Sequence, residues 1–387
     1  MTELSELLSD LVAINSVNPD LAKDGAGEAD LADFIASWGR DAGLEVHVQQ
    51  AAPERPNVIL IARGRSAVST RSGGGASLML NAHTDTVGVS DMAAPFEPVI
   101  RDGRLYGRGA YDMKSGLAAS MTALKAARSL NLRGDAMLSA VVDEEYGSIG
   151  TEALLAEWAR WPADAVLIAE PTELAISIAH RGFVWVDIET VGQAAHGSRP
   201  HLGIDAIAKM GKVLVALDAY DRSMRADPTH NLLGSGSLHA SIISGGEEIS
   251  MYPAYCKLQV ERRTIPGETL AGVEAEIQVI LDEIAAADPD FKASAQATFA
   301  RSPYHIDAAH PLVQQLKRIA EANLGDPVQL IGSSWWMDSA LFGEAGVPTV
   351  VLGPAGAGAH AKEERVDLAS VERCRDIYTD LIADFCR

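Results

Sequence analysis

Apolar positions recur first at helical spacing and then in short alternating runs. Leu4, Leu7, Leu8 and Leu11 of MTELSELLSDLVAI share one helical face with acids between them, which predicts an amphipathic first helix and not a signal peptide. From about residue 44 to 175, strand-like runs (LEVHVQQ, NVILIA, SLMLNAH, AMLSAVV, DAVLIAE) alternate with helical patterns (GLAASMTALKAARSL after Asp112, TEALLAEWA). Strand and helix in alternation predict an α/β layered sheet. The Gly- and Ser-rich stretch GRSAVSTRSGGGAS is expected to be a loop joining two of these strands.

Between about 178 and 298 the order changes. HRGFVWVDIETVG, SLHASIISG, YCKLQVERR and KASAQATFA read as strands, with helices at IDAIAKMGKVLVALDAY and TLAGVEAEIQVILDEIAA, giving the βαββαβ order of a split ferredoxin-like unit. The α/β pattern then resumes with VQLIG, MDSALFGEAG, VPTVVLG and a closing helix at SVERCRDIYTDLIADF. The expected architecture is a discontinuous α/β domain, residues 1–177 and 299–387, with a mixed sheet flanked by helices. An α+β domain at 178–298 interrupts it.

Composition narrows the class. The 387 residues are 47% apolar and 22% charged, enough for two or three domains with proper cores and unlike a disordered or disulfide-stapled chain. The 32 basic against 53 acidic side chains give a net charge of −21, which repels phosphate backbones and anionic membrane surfaces. A small-molecule partner is expected, with no nucleic acid and no membrane; no apolar run approaches the roughly 20 residues of a membrane span. Cys256, Cys374 and Cys386 are odd in number and form no CxxC, against a disulfide framework and a thiolate metal site, and a reducing cytoplasm fits.

The candidate chemistry collects at strand ends. SLMLNAHTDTVG closes a strand on His83 and Asp85, which a period of two places on one face. AMLSAVVDEEYGS closes one on Asp143, Glu144 and Glu145, three carboxylates that repel unless a cation or protons neutralise them. DAVLIAEPT puts Glu170 at a third strand end, and VVLGPAGAGAHAKEE brings His360 to a fourth through a Gly-rich turn. Asp112 stands directly before a helix, where it could serve simply as the N-cap. Taken singly, each residue has an ordinary structural use as a strand-end hydrogen bond, a solvated acid or a cap. Parallel α/β sheets, however, gather functional groups at the carboxyl ends of their strands. His83, Asp112, Glu145, Glu170 and His360 together would suit two zinc-like ions bridged by one carboxylate. No GxSxG, HExxH, Walker-type or strand-linked GxGxxG motif competes.

The motifs NAHTDTV, GRGAYDMKSG, DEEYGS, AEPT, AAHGSRP, ERRTIPGE, GVPTVVLGP and GAHAKEE resemble those of the dizinc aminoacyl hydrolase family that includes acetylornithine deacetylase, succinyl-diaminopimelate desuccinylase and carboxypeptidase G2. The resemblance spans nearly the whole chain. It implies that His83 and Glu170 bind one zinc, Glu145 and His360 the other, and Asp112 both, with cobalt or manganese as possible substitutes. It further implies that Asp85 orients His83, that Glu144 is the general base for a water activated between the two ions, and that the inserted domain is a lid and dimerisation domain. In a homodimer, His196 of AAHGSRP would reach the neighbouring subunit's active site. Arg263 of ERRTIPGE would bind a substrate carboxylate, with Asn231 of THNLLG a weaker candidate contact.

Some positions depart from the family's pattern. Glu261 stands where many relatives have Asp, and Ser115 where a second Gly is common. Trp335 and Trp336 fit either an acyl pocket or core packing. The implied activity is amide hydrolysis of N-acyl amino acids. A dipeptidase or glutamate carboxypeptidase is the alternative within enzymes, and a non-catalytic metal-binding scaffold the alternative outside them.

Overall fold

The strands Leu78–His83, Ala136–Val141, Ala165–Ile168 and Thr349–Val351 carry almost only apolar and small polar side chains, and all four are buried along their whole length. Strands of that kind suit the middle of a sheet covered on both faces. The computed structural model, which describes residues 2–65 and 75–387, places them there. Most of the Gly- and Ser-rich stretch expected to be a loop, residues 66–74, lies outside the described residues.

The chain forms two compact units. The first comprises Met1–Ile178, Ile306–Ile331 and Met337–Arg387. Its sheet runs, from one edge, Glu45–Ala52, Arg55–Ala62, Ala136–Val141, Leu78–His83, Ala165–Ile168, Thr349–Val351 and Ile176–His180. The four central strands are mutually parallel, whereas the flanking strands pair antiparallel, so the sheet is mixed. A cross-strand row of Leu60, Leu138, Leu80, Leu167 and Val350 shows how the register aligns one apolar face. Ile59, Ile61, Met79, Met137, Val166 and Ile168, one residue out of phase, form the core of the other. The helix Lys114–Ala127 packs on this sheet and against the closing helix Leu368–Phe385.

Parallel strands end at the same edge. The segments after His83, Val141, Ile168 and Val351 therefore leave the sheet together, and every acid and imidazole singled out above in this unit except Asp112 follows one of those ends. Asp112 and His360 are brought in by a small second sheet, in which Arg365–Asp367 pairs with both Gly356–Ala357 and Arg104–Tyr106. The loop between its strands holds His360, and the turn after Tyr106 leads to Asp112. Elements with no clear pattern in the sequence include the helices Ala29–Asp41 and Pro311–Leu324, the strand Ile176–His180 and this small sheet.

The second unit comprises Ala179–His305 and Gly332–Trp336. Its elements follow in the order strand Gly182–Val191, helix Ala206–Ala226, strands Ser237–Gly245 and Tyr255–Thr264, helix Leu270–Ala287 and strand Ala293–Arg301. In space the four strands lie as Ser237–Gly245, Tyr255–Thr264, Gly182–Val191 and Ala293–Arg301, all antiparallel. Alternate residues such as Val184, Val186 and Ile188 bury against Met210 and Val213 of one helix and Val273 and Ile277 of the other. Among the described residues, no helix is long and apolar enough to cross a membrane.

Candidate functional site

The strand Leu78–His83 stops at His83, so Asp85 lies beyond the pleat and does not share its face by alternation. The contact between the two is made by the turn instead. His83 Nδ1 sits 2.9 Å from the Asp85 backbone carbonyl and 3.5 Å from its carboxylate Oδ1. A carbonyl oxygen only accepts, so Nδ1 carries a proton and Nε2 is the nitrogen that faces the cluster. That nitrogen lies 3.2 Å from Asp112 Oδ1 and 3.4 Å from Glu170 Oε1. On the other side, His360 Nε2 lies 3.5 Å from Asp112 Oδ2 and 3.0 Å from Glu145 Oε2. Asp112 thus turns one oxygen to each imidazole.

Asp112 does not cap the helix that follows: the N-cap is Met113, with no side-chain capping bond. The Asp112 turn is fixed from below by Glu364, a residue with no distinguishing signal in the sequence beyond lying one helical turn after His360. Buried Glu364 accepts the backbone N–H groups of Gly109, Tyr111 and Asp112 at 2.9–3.1 Å and pairs with Arg108 at 2.6 Å. Asp85 has the same use on the opposite side. Its carboxylate accepts the N–H groups of Glu144 and Glu145 at 3.1 and 3.2 Å and the Asn18 amide at 2.8 Å. Asp143, first of the three adjacent acids, turns away from the cluster to Arg55 and Asn18, at 3.0 and 2.9 Å. Arg55 in turn pairs with buried Glu28 through Nε at 2.8 Å. These three acids lie in the turn beyond Val141, so the alternation of the strand does not set their directions; the bonds from Asp85, Asn18 and Arg55 do.

The donors fit a pair of cations. His83, Asp112 and Glu145 each offer a ligand atom within 4.8 Å of the others, and so do His83, Glu144 and Glu170. Glu145 Oε1 is buried with no hydrogen-bond partner, a costly state for a carboxylate oxygen that an ion would relieve. Nitrogen and oxygen ligands without thiolate suit zinc, cobalt or manganese.

The protonation equilibria show the same crowding. Burial, reinforced by the charge of Glu170, pushes Glu144 well above the usual carboxylate range, and burial likewise raises Glu170 and Glu145. Burial opposes the charging of His83, but Glu170 and the Asp112 contact outweigh it and raise its pKa well above 6.5. The Asp112 and Glu145 carboxylates push His360 up to about 10. Asp112 itself, despite its burial, is held below the usual range by His360 and His83. Asp338, to which no motif points, is raised to about 6 by burial and accepts the Thr151 hydroxyl at 2.6 Å, while its Oδ1 is buried and unpartnered.

The remaining candidates lie in the second unit. His196 is exposed in the short strand Ala195–His196, its Nδ1 2.8 Å from the Ser198 hydroxyl. Arg263 donates through Nε to Glu261 at 2.6 Å, and its guanidinium lies 5.2 Å from the Phe183 ring centre. Asn231 is exposed in the turn between His230 and Gly234. Trp336 packs within this unit, donating its indole N–H to the Ser302 carbonyl at 3.1 Å, whereas Trp335 is exposed.

Comparison with known proteins extends the picture. The family model described as Peptidase family M20/M25/M40 matches residues 79–384. Acetylornithine deacetylase of Proteus mirabilis is 29% identical over 388 residues, covering 98% of this chain and 96% of the relative. An N-formyl-4-amino-5-aminomethyl-2-methylpyrimidine deformylase of Halalkalibacterium halodurans is 26% identical over 415 residues, covering 99% and 94%. Among solved structures, a tripeptidase from Staphylococcus aureus aligns with a TM-score of 0.81 at 20% identity, covering 99% of this chain and 98% of that one. A dinuclear metal-binding peptidase of the M20 family from Bacillus subtilis aligns with a TM-score of 0.76 at 15% identity, covering 99% and 97%.

Proposed function

Since the chain belongs to the Peptidase family M20/M25/M40, whose members hydrolyse amide bonds with bound metal, we propose that it removes the acyl group from N-acyl amino acids, using two zinc ions. The observation that carries this reading is the two-sided contact of Asp112, one carboxylate oxygen toward His83 and the other toward His360. His83 and Glu170 would hold one ion, Glu145 and His360 the other, and Asp112 both. The pair would supply Lewis acidity and a water acidified to a pKa of about 7.

The chain's own groups do the rest. Glu144, buried among acids, accepts the proton of the attacking water and passes it to the leaving nitrogen, which requires a pKa raised toward neutrality. Asp85 keeps His83 in the tautomer that ligates through Nε2 and anchors the backbone of Glu144 and Glu145. Arg263 pairs with the substrate carboxylate through its terminal nitrogens, and Asn231 is a further contact. His196 donates to the carbonyl oxygen as it gains charge. In a homodimer it does so across subunits through the second unit, which then acts as lid and dimerisation domain.

The relatives named as acetylornithine deacetylase support the deacylase reading over a dipeptidase or glutamate carboxypeptidase, and the complete donor set with Glu144 speaks against a non-catalytic scaffold. The test is metal analysis of the purified protein together with a hydrolysis panel of N-acetyl, N-succinyl and N-formyl amino acids beside dipeptides. Two ions per chain and turnover confined to the acylated amino acids are expected; preferential cleavage of dipeptides would overturn the deacylase reading. Mixing His196→Ala with Glu144→Gln protein is expected to restore part of the activity each lacks alone. Failure to do so with exchanging dimers would exclude the cross-subunit role.

A further inference from the structure

Along the strand Gly182–Val191 the residues on one face are buried apolar groups, and those on the other begin with Phe183 and Trp185 and continue with Asp187 and Glu189. A face away from its unit's helices should be polar, as its second half is; the first half breaks the rule. Register extends the exception across three strands. Arg263, Phe183 and Arg301 form one cross-strand row, and Glu261, Trp185 and Phe299 the next. In a chain only 5% aromatic, three rings meet here: Phe183–Trp185 at 5.4 Å, Trp185–Phe299 at 5.2 Å and Phe183–Phe299 at 5.8 Å between centres. Trp185 remains 37% exposed.

Charge decides what such a surface takes. The Arg263 guanidinium lies 5.2 Å from the Phe183 ring centre and that of Arg301 4.8 Å from Phe299, so a cationic ligand meets two positive groups already on the rings. Arg263 donates only through Nε, to Glu261, and its two terminal nitrogens donate to no other described residue. Trp185 is steadied by the same Glu261, which accepts its indole N–H at 2.9 Å. A planar two-pronged donor beside an accessible indole is complementary to a carboxylate joined by a short linker to an aromatic ring.

We propose that this end of the sheet is a specificity subsite for an aromatic amino-acid side chain, with the substrate carboxylate on Arg263 and its aryl ring stacked on Trp185 and Phe299. The assignment of the carboxylate to an N-acyl amino acid rests on the deacylase reading above; the preference for a ring does not. Binding is measured by calorimetry on the full-length protein with 3-phenylpropionate and butyrate, neither of which has an amide to cleave. Both carboxylates reach any bound metal alike, so their ratio isolates the ring.

The aryl acid is expected to bind about tenfold more tightly, the scale of a buried ring contact, and Trp185→Ala to bring the ratio to within about twofold. Trp185→Phe should retain most of the preference, which also covers a failure of the alanine variant to fold. Equal affinities in the wild-type protein, or a ratio that Trp185→Ala leaves intact, would overturn the proposal. A kinetic arm compares kcat/KM for N-acetylphenylalanine and N-acetylalanine. Hydrolysis with no aryl preference sinks the subsite and spares the deacylase reading; aryl binding with no hydrolysis of either amide does the reverse.

Discussion

The donor cluster of the first unit and the candidate recognition residues of the second are held in very different ways. Around the cluster each carboxylate has a job that fixes another: Asp85 holds the backbone of Glu144 and Glu145, and Glu364 holds three N–H groups of the Asp112 turn. Arg55 and Asn18 keep Asp143 out of the way. His196, Arg263 and Asn231 by contrast are exposed or half-exposed, and Arg263 is steadied by one carboxylate and one ring. The difference teaches where the fold tolerates variation. Charges converging on a shared ion must be placed to fractions of an ångström by supporting bonds, whereas recognition groups on a sheet face can be exchanged without disturbing the core.

The largest effect that tests this contrast is at Glu144. Glu144→Gln keeps the shape and removes the proton acceptor, so kcat is expected to fall by about 10²–10⁴-fold while both metal ions stay bound. Near-normal turnover would remove Glu144 from the role of base. Next comes Glu364, which touches no ligand atom. Glu364→Gln puts an amide N–H₂ among three backbone donors and leaves buried Arg108 without its carboxylate. Metal affinity is expected to drop about 10–100-fold, as for other residues that orient ligands. The cost in stability should be about 3–5 kcal/mol, that of breaking a buried ion pair. Metal titration and denaturant unfolding read the two effects separately; unchanged metal affinity would show that the Asp112 turn holds its shape without Glu364.

The pH dependence of the metal-free protein is smaller and its sign follows from the raised groups. Glu144, Glu145 and Glu170 are raised above 4.5 by burial first and neighbouring acids second, Asp338 to about 6 by burial, and His360 to about 10 by Asp112 and Glu145. A group whose folded pKa is raised contributes its stability below the unfolded value and loses it as pH climbs through the folded one. Asp85 and Asp112 are lowered, so their contribution is already complete above pH 4 and does not change in this window. The cluster's contribution to the Tm of the metal-free protein should therefore fall as pH rises from about 5 to 10, opposed above pH 7 by Lys114, which burial lowers to about 7, and added zinc should raise Tm more at pH 8 than at pH 6. A metal-free Tm that rises across this range would mean that the cluster does not carry the pH response.

Much of this was legible in the sequence, and the part that was not has a physical reason. Apolar runs as pure as AMLSAVV and DAVLIAE are central strands, and the acids following them stand out because little else there is polar. The chain order also allowed the α/β class to be read. Asn18, Arg55, Glu364 and Asp338 were not legible, since each acts through partners 67 to 256 positions away or through a single buried contact that no local spacing encodes. The strand end at His83 was misjudged for a similar reason: alternation was carried two residues past the last ladder bond, where the turn, and not the pleat, sets the direction of Asp85. The rings of Phe183, Trp185 and Phe299 share a face only because a bulge between Ala297 and Phe299 shifts the register.

The smallest change sharpens the contrast most, because it removes support without removing charge. The Asn18 amide donates to Asp85 at 2.8 Å and to Asp143 at 2.9 Å, bridging the two acids that frame the cluster. Asn18→Ala leaves Asp85 its contacts to His83 and to the Glu144 and Glu145 backbone, and leaves Asp143 its pairing with Arg55. The expected loss is about 1–3 kcal/mol, the cost of leaving buried acceptors one donor short, seen as a lower denaturant midpoint with unchanged slope. Metal content should stay at the wild-type level, since the remaining donors still fix both strand ends. Loss of metal from Asn18→Ala comparable to that from Glu364→Gln would mean that the supports act as one cooperative network, and the graded ranking of single contacts would have to be replaced by coupling energies from the double mutant.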